Sequence, residues 1–183
     1  MSYSNFRRIH LLLVMAVAAL GCARSVQAND NRAPDVPPGL ETPGDTNKVH
    51  FHAYAVGVQI YSARHSSTSP TGFEWNPASR PDAVLFDSDG DIVGSHYVGP
   101  TWESNSGSYV KGARVNGVTL NANDIPWLLL RAVSSSGPGV LNGTTYIQRV
   151  NTDGGIVPST PPARGDDEAS VPYTAEYYFY RAK

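Results

Sequence analysis

The sequence predicts an all-β, single-domain protein, an antiparallel β-sandwich or a partly closed β-barrel, on three observations. Beyond residue 47 the apolar residues recur with a period of two, as in KVHFHAYAVGVQIYSA and VPYTAEYYFYRA. That alternation marks strands with one buried face. No segment beyond residue 28 carries apolar residues at helical spacing over three turns. The 17 Gly and 14 Pro in 183 residues supply turns at the density an all-β chain needs.

The chain opens on a targeting segment. Arg7 and Arg8 make a positive region, and Ile9 to Gly21 is apolar apart from His10. Val26-Gln27-Ala28 follows with a small-x-small cleavage pattern, so residues 1–28 read as a secretory signal peptide. The apolar run is shorter than the roughly 20 residues of a membrane-spanning helix, and no later run approaches that length. The expected location is secreted or periplasmic, with no transmembrane segment. A second exit exists: Ala19-Leu20-Gly21-Cys22 loosely resembles a lipobox, which would anchor a lipoprotein through Cys22. Its leucine is out of the usual order, and Ala28 offers the better cut. Cleavage there removes the single cysteine, leaving a domain whose stability rests on its core alone. It also removes three of the 14 basic side chains and none of the 16 acids, leaving 11 against 16. An acidic chain without a basic cluster argues against nucleic acid as a partner.

Residues 29–47 are rich in Pro, Gly, Asn and Asp and read as a leader with little to bury. The β-rich domain occupies residues 48–183. After the first long run come DAVLFD, IVGSHYV, SYVKGARV, GVTL, IPWLLLRAV, TTYIQRVNT and VPYTAEYYFYRA. Asp89-Gly90 and Asn116-Gly117 are predicted as hairpin turns, because both pairs tolerate positive φ. Trp127 to Leu130 lacks alternation and reads as a strand covered on both faces. On the last strand, Val171, Tyr173, Ala175, Tyr177 and Phe179 share one face, and a terminus this aromatic is expected to dock in the sheet.

The blocks AVGVQIY, VGSHYVGPTWES, IPWLLL, TYIQRVNTDGG and VPYTAEYYFYRA, in this order, resemble the domain of unknown function 3455 family of secreted bacterial and fungal proteins. The resemblance runs from about Val36 to Ala182. It implies an exported β-rich domain and brings no established activity. Some fungal relatives carry a malate dehydrogenase label, but here no Gly-x-Gly-x-x-Gly follows a strand and no βαβ unit exists to hold one. The family also implies cysteines near the positions of Ser62 and Ala163, and this chain has neither.

Candidate chemistry is sparse. His50 and His52 form a His-x-His pair, which period-two geometry puts on one strand face together with Tyr54, Val56, Val58 and Ile60. With His96 as a third ligand they make a candidate metal site; the alternative is a pair of surface histidines. Asp87, Asp89 and Asp91 have the oxygen density calcium favours, but no EF-hand glutamate or helix pair accompanies them, and a turn explains them as well. Asn142-Gly143-Thr144 is a glycosylation sequon, relevant only in a eukaryotic secretory pathway. Arg149 is a candidate for an anionic or polyhydroxyl ligand, although pairing with Asp153 or Glu176 is the simpler expectation.

GSHYVGPTWES, residues 94–104, is the strongest site candidate. With Asp89-Gly90 as a two-residue loop, Ser88 pairs with Asp91, Phe86 with Val93, Leu85 with Gly94, and Ala83 with His96. Gly94 and Ala83 then leave space beside the His96 ring, with Trp102 flanking it and Tyr97 and Glu103 close by. The competing expectation is a corner plugged by Trp102, with His96 bonded to backbone. Two functions from different classes follow. One is a non-catalytic ligand-binding or envelope-associated module, using His96, Tyr97, Trp102, Glu103 and Arg149 on a small molecule, or stacking a carbohydrate on Trp75, Trp102 and Tyr97. The other is a metal-dependent enzyme using His50, His52 and His96.

Overall fold

The computed structural model describes residues 32–183. The predicted signal peptide, the expected cleavage after Ala28 and the candidate anchor Cys22 lie outside the described residues. Nine strands follow in chain order: β1 (Asn47–His65), β2 (Phe73–Trp75), β3 (Arg80–Phe86), β4 (Ile92–Tyr97), β5 (Thr101–Ser104), β6 (Ser108–Val118), β7 (Trp127–Ser136), β8 (Thr144–Gly154) and β9 (Glu168–Ala182). The sole helical element among the described residues is a 3-10 turn at Gly44–Thr46. No helix among them is long and apolar enough to cross a membrane.

All the strand pairs are antiparallel, and the strands follow one another as β1-β3-β4-β5-β6-β7-β8-β9. The order then returns to its start, because β9 pairs with β1 from Asn47–Ala182 to Ser62–Glu168. Eight strands therefore form a ring, and β2 extends it at the far end of β1. Closure also removes the exposed edges on which open sheets aggregate.

The ring interior is aromatic on one side and small on the other. Tyr173, Ala175, Tyr177 and Phe179 of β9 point inward and are buried, as the alternation predicts. Trp102 of β5 sits among them, 5.3 Å from Tyr177 and 6.0 Å from Phe179 between ring centroids, both edge-on. Facing residues on β1 are Ala53, Ala55 and Gly57. A Cβ added to Gly57 would clash with Asp82 and Ala83 of β3, so that position admits no side chain.

This corrects the predicted face of β1. Tyr54 and Val56 are 39% and 53% exposed, whereas Phe51, Ala53, Ala55, Gln59 and Tyr61 are buried. The bulkier row looks like core by hydrophobicity alone. The interior volume beside the middle of β1 is already occupied by large rings from β5 and β9, so there β1 supplies Ala53, Ala55 and Gly57 inward, between Phe51 and Gln59. Register is a parity choice, and one residue of slip exchanges the two faces.

Three further expectations shift. The β3–β4 hairpin keeps Ala83 opposite His96 and Leu85 opposite Gly94, but Phe86 faces Ile92 instead of Val93. Asp87 N–H donates to the Asp91 carbonyl, and Gly90 takes φ 84°, so the loop holds three residues, with a bulge restoring register. Asn116-Gly117 is no turn: it lies inside β6, opposite Leu129 and Leu128. Here the turn preference of Asn-Gly yields to pairing, and a bulge between Arg114 and Asn116 absorbs the irregularity.

The leader is the third correction. Leu40 is fully buried, and its carbonyl accepts from Gln148 Nε2 at 2.6 Å. Asn116 Nδ2 donates to the Gly39 carbonyl at 3.0 Å. Gln148 is paired with Leu129 across β7 and β8, and Asn116 with Leu129 across β6 and β7, so the leader is tied to neighbouring positions of these strands. One leucine and two backbone-directed amides dock a segment that composition marks as loop. Leu40→Ala should therefore lower the unfolding free energy by roughly 2–5 kcal/mol, the range for truncating a buried leucine. Urea denaturation measures this, and an unchanged midpoint would show that the leader does not stay docked in solution.

Candidate functional site

The β2–β3, β4–β5, β6–β7 and β8–β9 connections leave the ring at the same end, since alternate connections of an antiparallel meander share an end. Between them opens a cavity of about 490 Å³. Gln59 and Tyr61 of β1, Arg114 of β6, Leu128 of β7 and Arg149 of β8 form its walls, with Pro100 at the β4–β5 turn. An adjoining space of about 240 Å³ shares His96, Pro100, Arg114, Leu128 and Arg149 with it and reaches Trp102 and Tyr177. The ring is thus open at this end and packed beyond the tryptophan.

His96 forms the floor between the two. It lies opposite Trp102 across β4 and β5, and the two rings stack 4.3 Å apart and 6° from parallel. Tyr177 meets the imidazole edge-on at 5.1 Å. His96 Nδ1–H donates to the Thr101 carbonyl at 2.9 Å, a tautomer required by the carbonyl acceptor. Burial drives the imidazole pKa down to about 3, against the opposing pull of that hydrogen bond, with the Arg149 charge adding to the fall. The ring is therefore neutral at physiological pH.

Gly94 plays a different part from the one the sequence suggests. A Cβ there would run into the Glu103 backbone oxygen of β5. Its missing side chain allows two strands to approach closely and makes no room for a ligand.

Arg149 reaches into the cavity half-buried. Its Nε and Nη2 both donate to the Pro126 carbonyl, at 3.1 and 2.7 Å. The expected pairing with Asp153 or Glu176 does not form. Glu176 instead accepts from His52 Nε2 at 3.0 Å, Asn151 Nδ2 at 2.9 Å and the Tyr178 hydroxyl at 3.0 Å. Those contacts, the His52 bond foremost, hold its carboxyl below the usual range against the opposing effect of burial.

Of the residues predicted to bind a ligand, the structure brings His96, Trp102 and Arg149 together at the cavity and places Tyr97 and Glu103 elsewhere. The Tyr97 hydroxyl donates to Glu103 Oε2 at 2.8 Å on the exposed face of the sheet. Trp75 is at the β2 edge, its indole N–H bonded to the Thr160 carbonyl at 2.8 Å. Trp75, Trp102 and Tyr97 thus share no surface on which a sugar could stack.

The three predicted metal ligands are also separated. His50 Nε2 is 3.2 Å from Thr144 Oγ1, and His52 stacks on Tyr178 at 4.1 Å on the outer face. A bulge between Val49 and Phe51 breaks the period-two relation on which the pair rested. Among the described residues no three His, Cys, Asp or Glu side chains are grouped to hold a metal. Asp87 Oδ1 accepts from the backbone N–H groups of Asp89 and Asp91, so the aspartate-rich loop is a turn.

Sequence reasoning missed Gln59, Tyr61, Arg114, Leu128 and Tyr177 as cavity residues. Gln59 carried a usable cue, as a polar residue in the apolar run of β1, but the parity error turned it outward.

The fold and site define an all-β protein whose closed strand order encloses a cavity at one end. The chain belongs to the family described as Protein of unknown function (DUF3455), whose model matches residues 43–181. No curated protein and no solved structure matches it.

His96 yields a test with a defined sign. In the unfolded chain its imidazole takes up a proton near pH 6.5, whereas the folded ring stays neutral until about pH 3. The unfolded state therefore binds more protons between those values, and this contribution to stability is lost as pH falls through that window. Histidine NMR should show His96 untitrated at pH 5. His96→Gln should lose less stability between pH 7 and pH 5 than the wild type does. His96→Ala, which strands the Thr101 carbonyl, should cost roughly 1–3 kcal/mol at pH 7. A His96 ring that titrates near 6.5 would contradict the buried geometry.

Proposed function

We propose that this protein is an exported, non-catalytic binding module that holds a small molecule in the cavity at the open end of its strand ring. The observation carrying this reading is the continuity of that cavity, from its proline-rich rim down to the stacked His96 and Trp102. A ring of about eight strands leaves an interior that either side chains fill or one small ligand occupies. At about 490 Å³ the space lies within the range of small-molecule sites. Its lining suits this role, with Pro100, Ile125 and Leu128 as apolar walls and a few polar groups converging on them.

The same geometry favours binding over turnover. His96 commits one nitrogen to the Thr101 carbonyl and is a poor proton acceptor at pH 7. No acid lines either cavity to orient it as a general base. A carbohydrate stacked on an exposed aromatic platform has less support than a small molecule enclosed in the ring, given where Trp75 and Trp102 lie. Export rests on the apolar segment Ile9–Gly21 and the Val26-Gln27-Ala28 cleavage pattern, and it places the module in the periplasm or outside the cell.

The neutral, environment-sensitive fluorophore 6-propionyl-2-dimethylaminonaphthalene tests the cavity. The folded protein should bind it at one saturable site, with a blue-shifted emission. Leu128→Trp, which adds bulk at a position lining both cavities, should weaken binding at least tenfold while circular dichroism stays unchanged. Absence of saturable binding, or equal binding by a folded Leu128→Trp variant, would sink this function.

A further inference from the structure

Resting on that reading, we infer that the molecule held in the cavity carries a carboxylate, paired with Arg149. Three observations converge on it. Arg114 and Arg149 both line the two cavities, and no aspartate or glutamate lines either. Among the described residues every ion pair lies elsewhere, at His52–Glu176, Arg64–Glu74 and Arg80–Glu168. A half-buried arginine in an apolar space thus has a carbonyl oxygen for company and no counter-charge within ion-pair distance. Leaving such a charge uncompensated is costly, and an anionic ligand removes the cost.

The second observation is the donor capacity that remains. A guanidinium has five N–H groups, and Arg149 commits its Nε and Nη2 to one oxygen, that of Pro126. The guanidinium's other neighbour is the neutral Tyr177 hydroxyl, which brings no negative charge, and the edge formed by Nη1 and the second Nη2 hydrogen is the fork that matches a carboxylate in its plane.

The third is a set of polar atoms within the ring that are buried and have no hydrogen-bond partner among the described residues. These are Gln59 Nε2 and Trp102 Nε1. Both residues are at most 3% exposed. Gln59 lines the outer cavity, Trp102 the inner one. The Tyr177 hydroxyl lies between Tyr173 and Arg149, so it joins the guanidinium at the inner cavity. Both unpartnered atoms can only donate, and buried donors without acceptors are rare enough to require an account. An oxygen-rich anion supplies acceptors, whereas a cation or a donor-rich ligand would leave them unmet.

Arg114 is exposed to solvent, so Arg149 is the one half-buried arginine, and with a neutral histidine beside it the site matches one negative charge. Leu128, Leu130 and Ile125 match an apolar body attached to it. The predicted ligand class is therefore an apolar or aromatic monocarboxylate.

Displacement of 6-propionyl-2-dimethylaminonaphthalene by naphthalene-2-carboxylate and by its neutral isostere naphthalene-2-carboxamide tests the charge apart from the cavity. In the wild-type protein the carboxylate should displace the fluorophore at least tenfold more tightly. Arg149→Gln should abolish that preference while still binding the carboxamide, and Arg149→Lys should keep part of it. Equal affinities in the wild type, failure of both compounds to displace a bound fluorophore, or a preference that survives Arg149→Gln would overturn the inference and leave the cavity reading intact. Absence of fluorophore binding to the wild type would remove both. The comparison in the unaltered protein needs no variant to fold.

Discussion

Pairing of β1 with β9 is the contact on which the rest of the structure depends. It joins the first strand to the last and runs nearly the whole length of both, from Asn47–Ala182 to Ser62–Glu168. Without it the meander from β3 to β8 would be an open sheet with two exposed edges and one unburied face. With it, the inward row of β9 is pressed against the tryptophan of β5 and the small residues of β1. Such a contact spans the greatest sequence separation in the domain, so its closure entropy must be met by burial. Tyr173, Ala175, Tyr177 and Phe179 supply that burial, and no disulfide within the chain assists, because the sequence holds a single cysteine.

The cavity is a consequence of how the ring is filled. Large rings at Trp102, Tyr177 and Phe179 pack one part of the interior so fully that β1 can contribute only alanine and glycine there. Toward the mouth the inward positions change in character, to Gln59, Tyr61, His96 and Arg149, and these polar side chains cannot close together as apolar ones would. Each is held at one point: Tyr61 on the Gly155 carbonyl, Gln59 on Ser79, His96 on Thr101 and Arg149 on Pro126. That leaves other polar atoms of the site unmet. Space and unmet hydrogen-bonding capacity therefore coincide at one end of the ring.

His96 and Trp102 connect the packed and the open regions. Their stacking is imposed by register, since cross-strand partners on β4 and β5 share a face and stand about one ring thickness apart. The sequence stretch containing them is both of the things it could have been. It is a corner, in that His96 bonds backbone and Gly94 permits a close strand approach. It is also the floor of a cavity, in that the stacked pair bounds the space reached from the mouth.

What the sequence by itself determined is whatever depends on local pattern. Period two specified strands, glycine and proline density specified turns, and the aromatic row of β9 specified its inward face. The Ala83–His96 pairing followed from the Asp89-Gly90 turn even though the loop is one residue longer than a two-residue turn allows. What only the tertiary structure decided is whatever depends on parity, closure and partners. A single bulge near Phe51 and the bulk of Trp102 settle which face of β1 is buried, and neither is visible within β1 itself. The separation of His50, His52 and His96 follows from the same bulge and from the opposite faces of the sheet. Leu40 becomes core because β7 and β8 offer it a surface, and Arg149 lacks a carboxylate because Glu176 points to the other face and is occupied by His52. Local chemistry chose the elements. The ring, by deciding which side of each strand is inside, chose the site.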